Sequence, residues 1–79
     1  MITVLRASGL TIVIYKDDHE PPHVHVLGDG EAKITLLGRT GRPEVVRTKR
    51  MRAADVRKSL AIVIQNRDLL LEWWREIHG

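Results

Sequence analysis

Seventy-nine residues make one domain with a thin core, since a chain this short buries only about 60% of the surface its unfolded form exposes. Hydrophobic residues at 43% and charged residues at 29% describe a globular chain rather than a disordered one. The absence of cysteine excludes disulfides and thiolate metal sites. The net charge of +3 is unevenly spread. Residues 1–38 carry three basic against five acidic side chains, residues 39–58 eight against two, and residues 59–79 two against three. A basic block of this kind favours polyanions through counterion release, although it lacks the aromatics that usually accompany single-strand binding. No apolar run approaches the roughly 20 residues that span a bilayer, and the N-terminus has no signal-peptide pattern. The expectation is a single cytoplasmic domain over residues 1–79 with no membrane partner.

In chain order, residues 2–5 predict a short edge strand, with Arg6 to Gly9 breaking the pattern. Residues 10–15 predict a central strand: Leu10, Ile12 and Ile14 share one face at period two, and Thr11, Val13 and Tyr15 the other. Lys16 to Pro22 is a loop, because Pro21 and Pro22 cannot donate to a ladder. Strands follow over 23–27, 31–37 and 44–48, separated by turn signals at Gly28-Asp29-Gly30 and Gly38 to Pro43. Connections this short favour an antiparallel meander.

From residue 53 to residue 78 the period changes to 3.6. Val56, Leu60, Val63, Ile64, Leu70, Leu71, Trp74 and Ile77 form one stripe, with Arg67 in its middle. The pattern predicts one long helix, with a weak N-terminal cap at Arg52 and a bend near Gln65-Asn66. The fold class is α+β: a three- to four-stranded antiparallel sheet packed by that helix. Ile62, Leu69 and Trp73 form a second apolar group about 120° away. They are read as a partner interface, used by a homodimer or by a second protein.

The stretch Asp17 to Val26 concentrates the chemistry. It holds His19, His23 and His25, three of the four histidines in the chain, together with Asp17, Asp18 and Glu20. Two residues apart on a strand, His23 and His25 leave the same face. Three uses of this cluster stay open. His23, His25 and His19 can ligate a divalent transition metal. Without a metal, His19, His23 and His25 can exchange protons, oriented by Asp18, to cleave RNA through its 2′-hydroxyl while arginine and lysine stabilise the charge. Or the cluster is structural, or carries a partner contact. Arg47, Lys49, Arg50 and Arg52 are the candidate phosphate-holding residues.

The string Tyr15-x-x-Asp18-His19-x-Pro21-Pro22-His23-Val24-His25 resembles the signature of a small prokaryotic family, the domain of unknown function numbered 4160. Gly9 before the apolar strand, and Leu70 and Trp74 near the end of the helix, fall in the same order. The resemblance implies a compact α+β domain. It also implies a cognate small protein from the same operon, in an arrangement like a toxin–antitoxin module. Val24 stands where an aromatic is common in that family, and Arg42 to Arg52 is more basic than the resemblance implies. The reading of function is therefore a component of a two-gene toxin–antitoxin-like module that binds or cleaves RNA. The alternative is a non-catalytic interaction module, with or without a metal.

Overall fold

The first hairpin turns on two residues. In a computed structural model describing residues 1–79, Ser8 and Gly9 have φ of 52° and 78°. Positive φ at both positions is the backbone of a two-residue hairpin loop whose twist matches its strands. β1 (Ile2–Ala7) therefore runs straight into β2 (Leu10–Ile14), with Ala7 opposite Leu10 and Arg6 opposite Thr11. This corrects the expectation of irregular chain from Arg6 to Gly9. The ladder includes Arg6 and Ala7, and the irregularity lies instead between Thr3 and Leu5, where the register shifts.

β3 (His23–Leu27), β4 (Glu31–Thr35) and β5 (Glu44–Lys49) complete one antiparallel sheet in the order β1-β2-β3-β4-β5. The meander is as expected, but it has five strands rather than three or four, because both terminal segments pair along their length. β4 ends at Thr35, two residues early: the Leu36 amide turns away to the Pro22 carbonyl at 2.9 Å.

The expected single helix is two, α1 (Ala53–Gln65) and α2 (Arg67–His78). Asn66 breaks it, with φ −113° and ψ 17°. Its side-chain Nδ2 donates to the Ile62 carbonyl at 2.8 Å, and its own amide is shared between the Ile62 and Val63 carbonyls. Asparagine offers the backbone this local alternative to regular helix. Arg52, at the start of α1, makes no side-chain cap, as its chemistry dictates.

The core joins Leu10, Ile12, Ile14, Val24, Val26, Ala32, Ile34 and Leu36 of the sheet side to Ile62, Val63, Leu70, Leu71 and Trp74 of the helices. Two helical positions differ from the expected stripes. Ile62 is buried in this core and not in the exposed group with Leu69 and Trp73, whereas Ile64 is exposed. A helix that ends at Asn66 buries the face centred on Ser59 and Val63, and that face takes in Ile62 and leaves Ile64 outside.

Alternation sends the remaining strand residues to the other face of the sheet. Pairing aligns Val13 with His25, His25 with Lys33, and Lys33 with Arg47, so these four form one row across β2, β3, β4 and β5. A neighbouring row sets His23 beside Thr35 and Glu44. With strands about 4.8 Å apart, Arg47 stands roughly 10 Å from His25.

Candidate functional site

The loop between β2 and β3 is held from both ends. The Asp18 amide donates to the Tyr15 carbonyl at 3.1 Å, and the Tyr15 amide donates to Asp18 Oδ2 at 3.3 Å. This closed turn points the Asp18 carboxylate inward and leaves the next side chain, His19, exposed. At the far end, the Pro22 carbonyl accepts from the Leu36 amide and, at 3.3 Å, from the Thr35 hydroxyl. The indole of Trp74 on α2 donates to Glu20 Oε1 at 3.2 Å, which fixes the middle.

Within this frame His23 and His25 converge on one oxygen. Nε2 of His23 lies 3.2 Å from Asp18 Oδ2, and Nε2 of His25 lies 3.4 Å from the same atom. Each ring's other nitrogen is already engaged. His23 Nδ1 donates to the Pro21 carbonyl at 3.0 Å, and His25 Nδ1 donates to Glu31 Oε2 at 3.1 Å. Neither acceptor has a proton to give, so both rings carry theirs on Nδ1. At 3.4 Å the His25–Asp18 contact does not have hydrogen-bond geometry, and His25 Nε2 is buried without a hydrogen-bond partner. Aromatic rings wall the pair: Tyr15 stands edge-on to His25 at 4.7 Å between centroids, and Trp74 lies 5.2 Å from His23. His78 stacks on Trp74 with ring centroids 3.8 Å apart.

These residues border a cleft of about 440 Å³ whose lining also includes Asp17, His19, Glu20, Thr35, Lys33 and Arg47. Lys33 and Arg47 are directly opposed across β4 and β5, and no carboxylate lies within ion-pair distance of either. Of the four basic residues singled out in the sequence, Arg47 alone reaches this cleft. Lys49 and Arg50 line a separate groove with Asp29 and Glu31. Arg52 lies beside Asp55, at 3.8 Å, around a third depression that includes Lys58 and Ser8.

Three side-chain groups, Asp18, His23 and His25, place ligand atoms within 4.8 Å of one another and can hold a metal ion. The expected ligand set had His19 in place of Asp18. His19 borders the cleft but stays outside this group, because the Tyr15–Asp18 turn points it to solvent. Sequence reasoning also missed Glu31, Lys33 and Trp74. A signal for two of them was present: a Gly28-Asp29-Gly30 turn that pairs Leu27 with Glu31 also pairs His25 with Lys33. Nothing local connects Trp74 with Glu20, 54 residues away.

A family model described as a domain of unknown function, DUF4160, matches residues 9–75. The chain belongs to this family. The match takes in β2, the histidine loop, the remaining strands, α1 and most of α2. No curated protein and no solved structure matches the chain. In this DUF4160 chain the cleft gathers the histidine pair, Asp18 and the Lys33–Arg47 pair in one place. No helix is long and apolar enough to cross a membrane.

Proposed function

We propose that the cleft binds RNA, and that the chain is the RNA-binding or RNA-cleaving member of a two-gene toxin–antitoxin-like module. The observation that carries this reading is the Lys33–Arg47 pair, two like charges side by side across a strand pair with no carboxylate partner, at the rim of the cleft. Like charges directly opposed on a sheet repel, and an anion bridging them reverses the sign of that interaction. Phosphate suits both groups, the ammonium as a point charge and the guanidinium as a two-pronged donor. Lys49, Arg50 and Arg52 extend the positive field beyond the cleft. The cleft has no exposed aromatic platform, so contact is to the backbone and tolerant of sequence.

Metal-free proton transfer by His23 and His25 receives less support. Both Nδ1 atoms are engaged, and both Nε2 atoms are directed at Asp18, that of His25 from a buried position, so neither ring presents a nitrogen to a 2′-hydroxyl. A divalent transition metal on Asp18, His23 and His25 would instead add a Lewis-acid contact to a phosphate oxygen.

The test is the salt dependence of binding to a fluorescent single-stranded RNA. Five basic side chains at about 0.7 per phosphate contact set a slope of log K against log salt no steeper than roughly −3.5, and a slope steeper than about −2 is expected. A flat plot removes the phosphate role.

A second reading is favoured by α2, where Leu69 and Trp73 are 43% and 39% exposed and flanked by Glu72 and Glu76 in one shallow groove. It makes the chain a non-catalytic module that binds its cognate small protein there. Expression of the chain alone separates the two. A nuclease toxin arrests growth, and Lys33→Ala with Arg47→Ala relieves the arrest. Harmless expression of the unmodified chain, together with loss of cognate-protein binding on Trp73→Ala, selects the interaction module.

A further inference from the structure

The geometry points to a four-coordinate divalent transition-metal centre of the zinc class, ligated by Nε2 of His23, Nε2 of His25 and the Asp18 carboxylate. This deepens the reading above at the metal it mentions, while the basic row can bind phosphate with or without it.

Three independent observations carry the centre. The first is spacing. In a tetrahedron with metal–nitrogen and metal–oxygen bonds of about 2.0–2.1 Å, ligand atoms sit about 3.3 Å apart. Two of the three edges match, since the nitrogens stand 3.2 and 3.4 Å from Asp18 Oδ2, and all three ligand atoms lie within 4.8 Å of one another, so a small rotation of the imidazoles closes the third edge. The second is protonation. The Pro21 carbonyl and the Glu31 carboxylate each engage Nδ1, so Nε2 is the nitrogen that both rings turn towards the Asp18 carboxylate, and in the Nδ1–H tautomer it presents a lone pair. Two such nitrogens and a carboxylate oxygen facing one point call for a cation between them, and one divalent ion satisfies all three atoms at once where protons would have to be taken up ring by ring. The third is desolvation. The His25 side chain is only 9% exposed, and its Nε2 has neither water contact nor a hydrogen-bond partner. A buried nitrogen of this kind is costly unless it is bound.

The outer partners complete the arrangement. A ligating histidine normally donates its second N–H to a carbonyl or carboxylate, which fixes ring orientation and raises basicity. Pro21 and Glu31 are one of each. The prolines and the Trp74–Glu20 bond hold the loop that carries Asp18, and the pairing of His25 with Lys33 holds the strand. Three protein ligands leave the fourth position for water or a phosphate oxygen entering from the cleft, the pattern of a reactive rather than a purely structural zinc site. The donors, two imidazoles and a carboxylate, suit zinc and its first-row neighbours and are poor for magnesium or calcium.

The experiment titrates Zn²⁺ alone into tag-free full-length chain, without RNA, by calorimetry. One Zn²⁺ per chain is expected, with Mg²⁺ failing to compete. Glu31→Gln keeps an acceptor for His25 Nδ1 but loses the charge, and should weaken binding about 10- to 100-fold. His25→Ala should weaken it further, while His19→Ala and His78→Ala leave it unchanged. Because His25 is buried and its removal can unfold the domain, the unmodified chain is also followed by ¹⁵N correlation of its imidazoles. Metal should move the Nε2 signals of His23 and His25 while both Nδ1 atoms stay protonated. Absence of Zn²⁺ binding by the unmodified chain, binding abolished by His19→Ala, or metal arriving at Nδ1 would each overturn the proposal. Zinc binding with a flat salt plot for RNA keeps the centre and removes only the RNA reading.

Discussion

Trp74→Ala is expected to lower stability by about 3–5 kcal/mol, the usual range for removing a buried tryptophan. Trp74 is the largest fully buried side chain and is 1% exposed. It fills the space between α2 and the sheet, its ring lies against His23 and His78, and its N–H is the donor to Glu20. The substitution leaves a cavity and strips that carboxylate of its donor, and a core this thin has little material with which to close the gap. A domain of this length has roughly 4–12 kcal/mol in total, so the variant should stand near the edge of folding. Urea denaturation gives the check: with a slope of about 1–2 kcal/mol/M, the midpoint should fall by about 1.5–5 M. Trp74→Phe, which keeps most of the volume, should lose clearly less. A fall under 1 kcal/mol for the alanine variant would mean that α2 is not held through this ring.

The second large effect concerns binding. Lys33→Ala combined with Arg47→Ala should reduce the salt slope for single-stranded RNA by about 1.4, two contacts at about 0.7 each. At 0.1 M salt this is a loss of affinity of roughly 25-fold. The double variant should fold at least as well as the unmodified chain, because it relieves a like-charge pair and neither side chain has an ion-pair partner to lose. The pair Arg57→Ala with Arg75→Ala removes the same charge from exposed helix positions outside the histidine cleft. If both pairs weaken RNA equally, the charge acts as a diffuse field and the row across the sheet has no special part. If only the Lys33–Arg47 pair matters, the cleft is the site.

Much of the architecture is legible because its causes are local. β-branched alternation at Leu10 to Ile14, the glycine turn after Leu27 and the 3.6-residue period after Ala53 each act within a few residues. The bend at Asn66 is equally local, since an asparagine side chain competes for a carbonyl one turn back. The errors lie where two local choices are close in energy or where distant segments meet. Asp18 and His19 are neighbours with similar claims on the cleft, and one closed turn from Tyr15 selects Asp18. Ile62 and Ile64 flank the same helical stripe, and the end of α1 at Asn66 decides which of them is buried.

By itself the chain sequence determined an α+β meander with C-terminal helix, a loop rich in histidine and proline, and a basic segment after it, because each is written in short-range periodicity, turn chemistry and charge. Only the tertiary structure decided that Nε2 of His23 and His25 would meet Asp18, that Lys33 and Arg47 would stand in line with His25, and that Trp74 would clamp Glu20. Those contacts depend on strand register and on helix-to-loop packing. The physical reason is that register is selected by the whole buried face at once, and a slip of one residue in β3, β4 or β5 would send the histidines, Lys33 or Arg47 to the opposite side of the sheet.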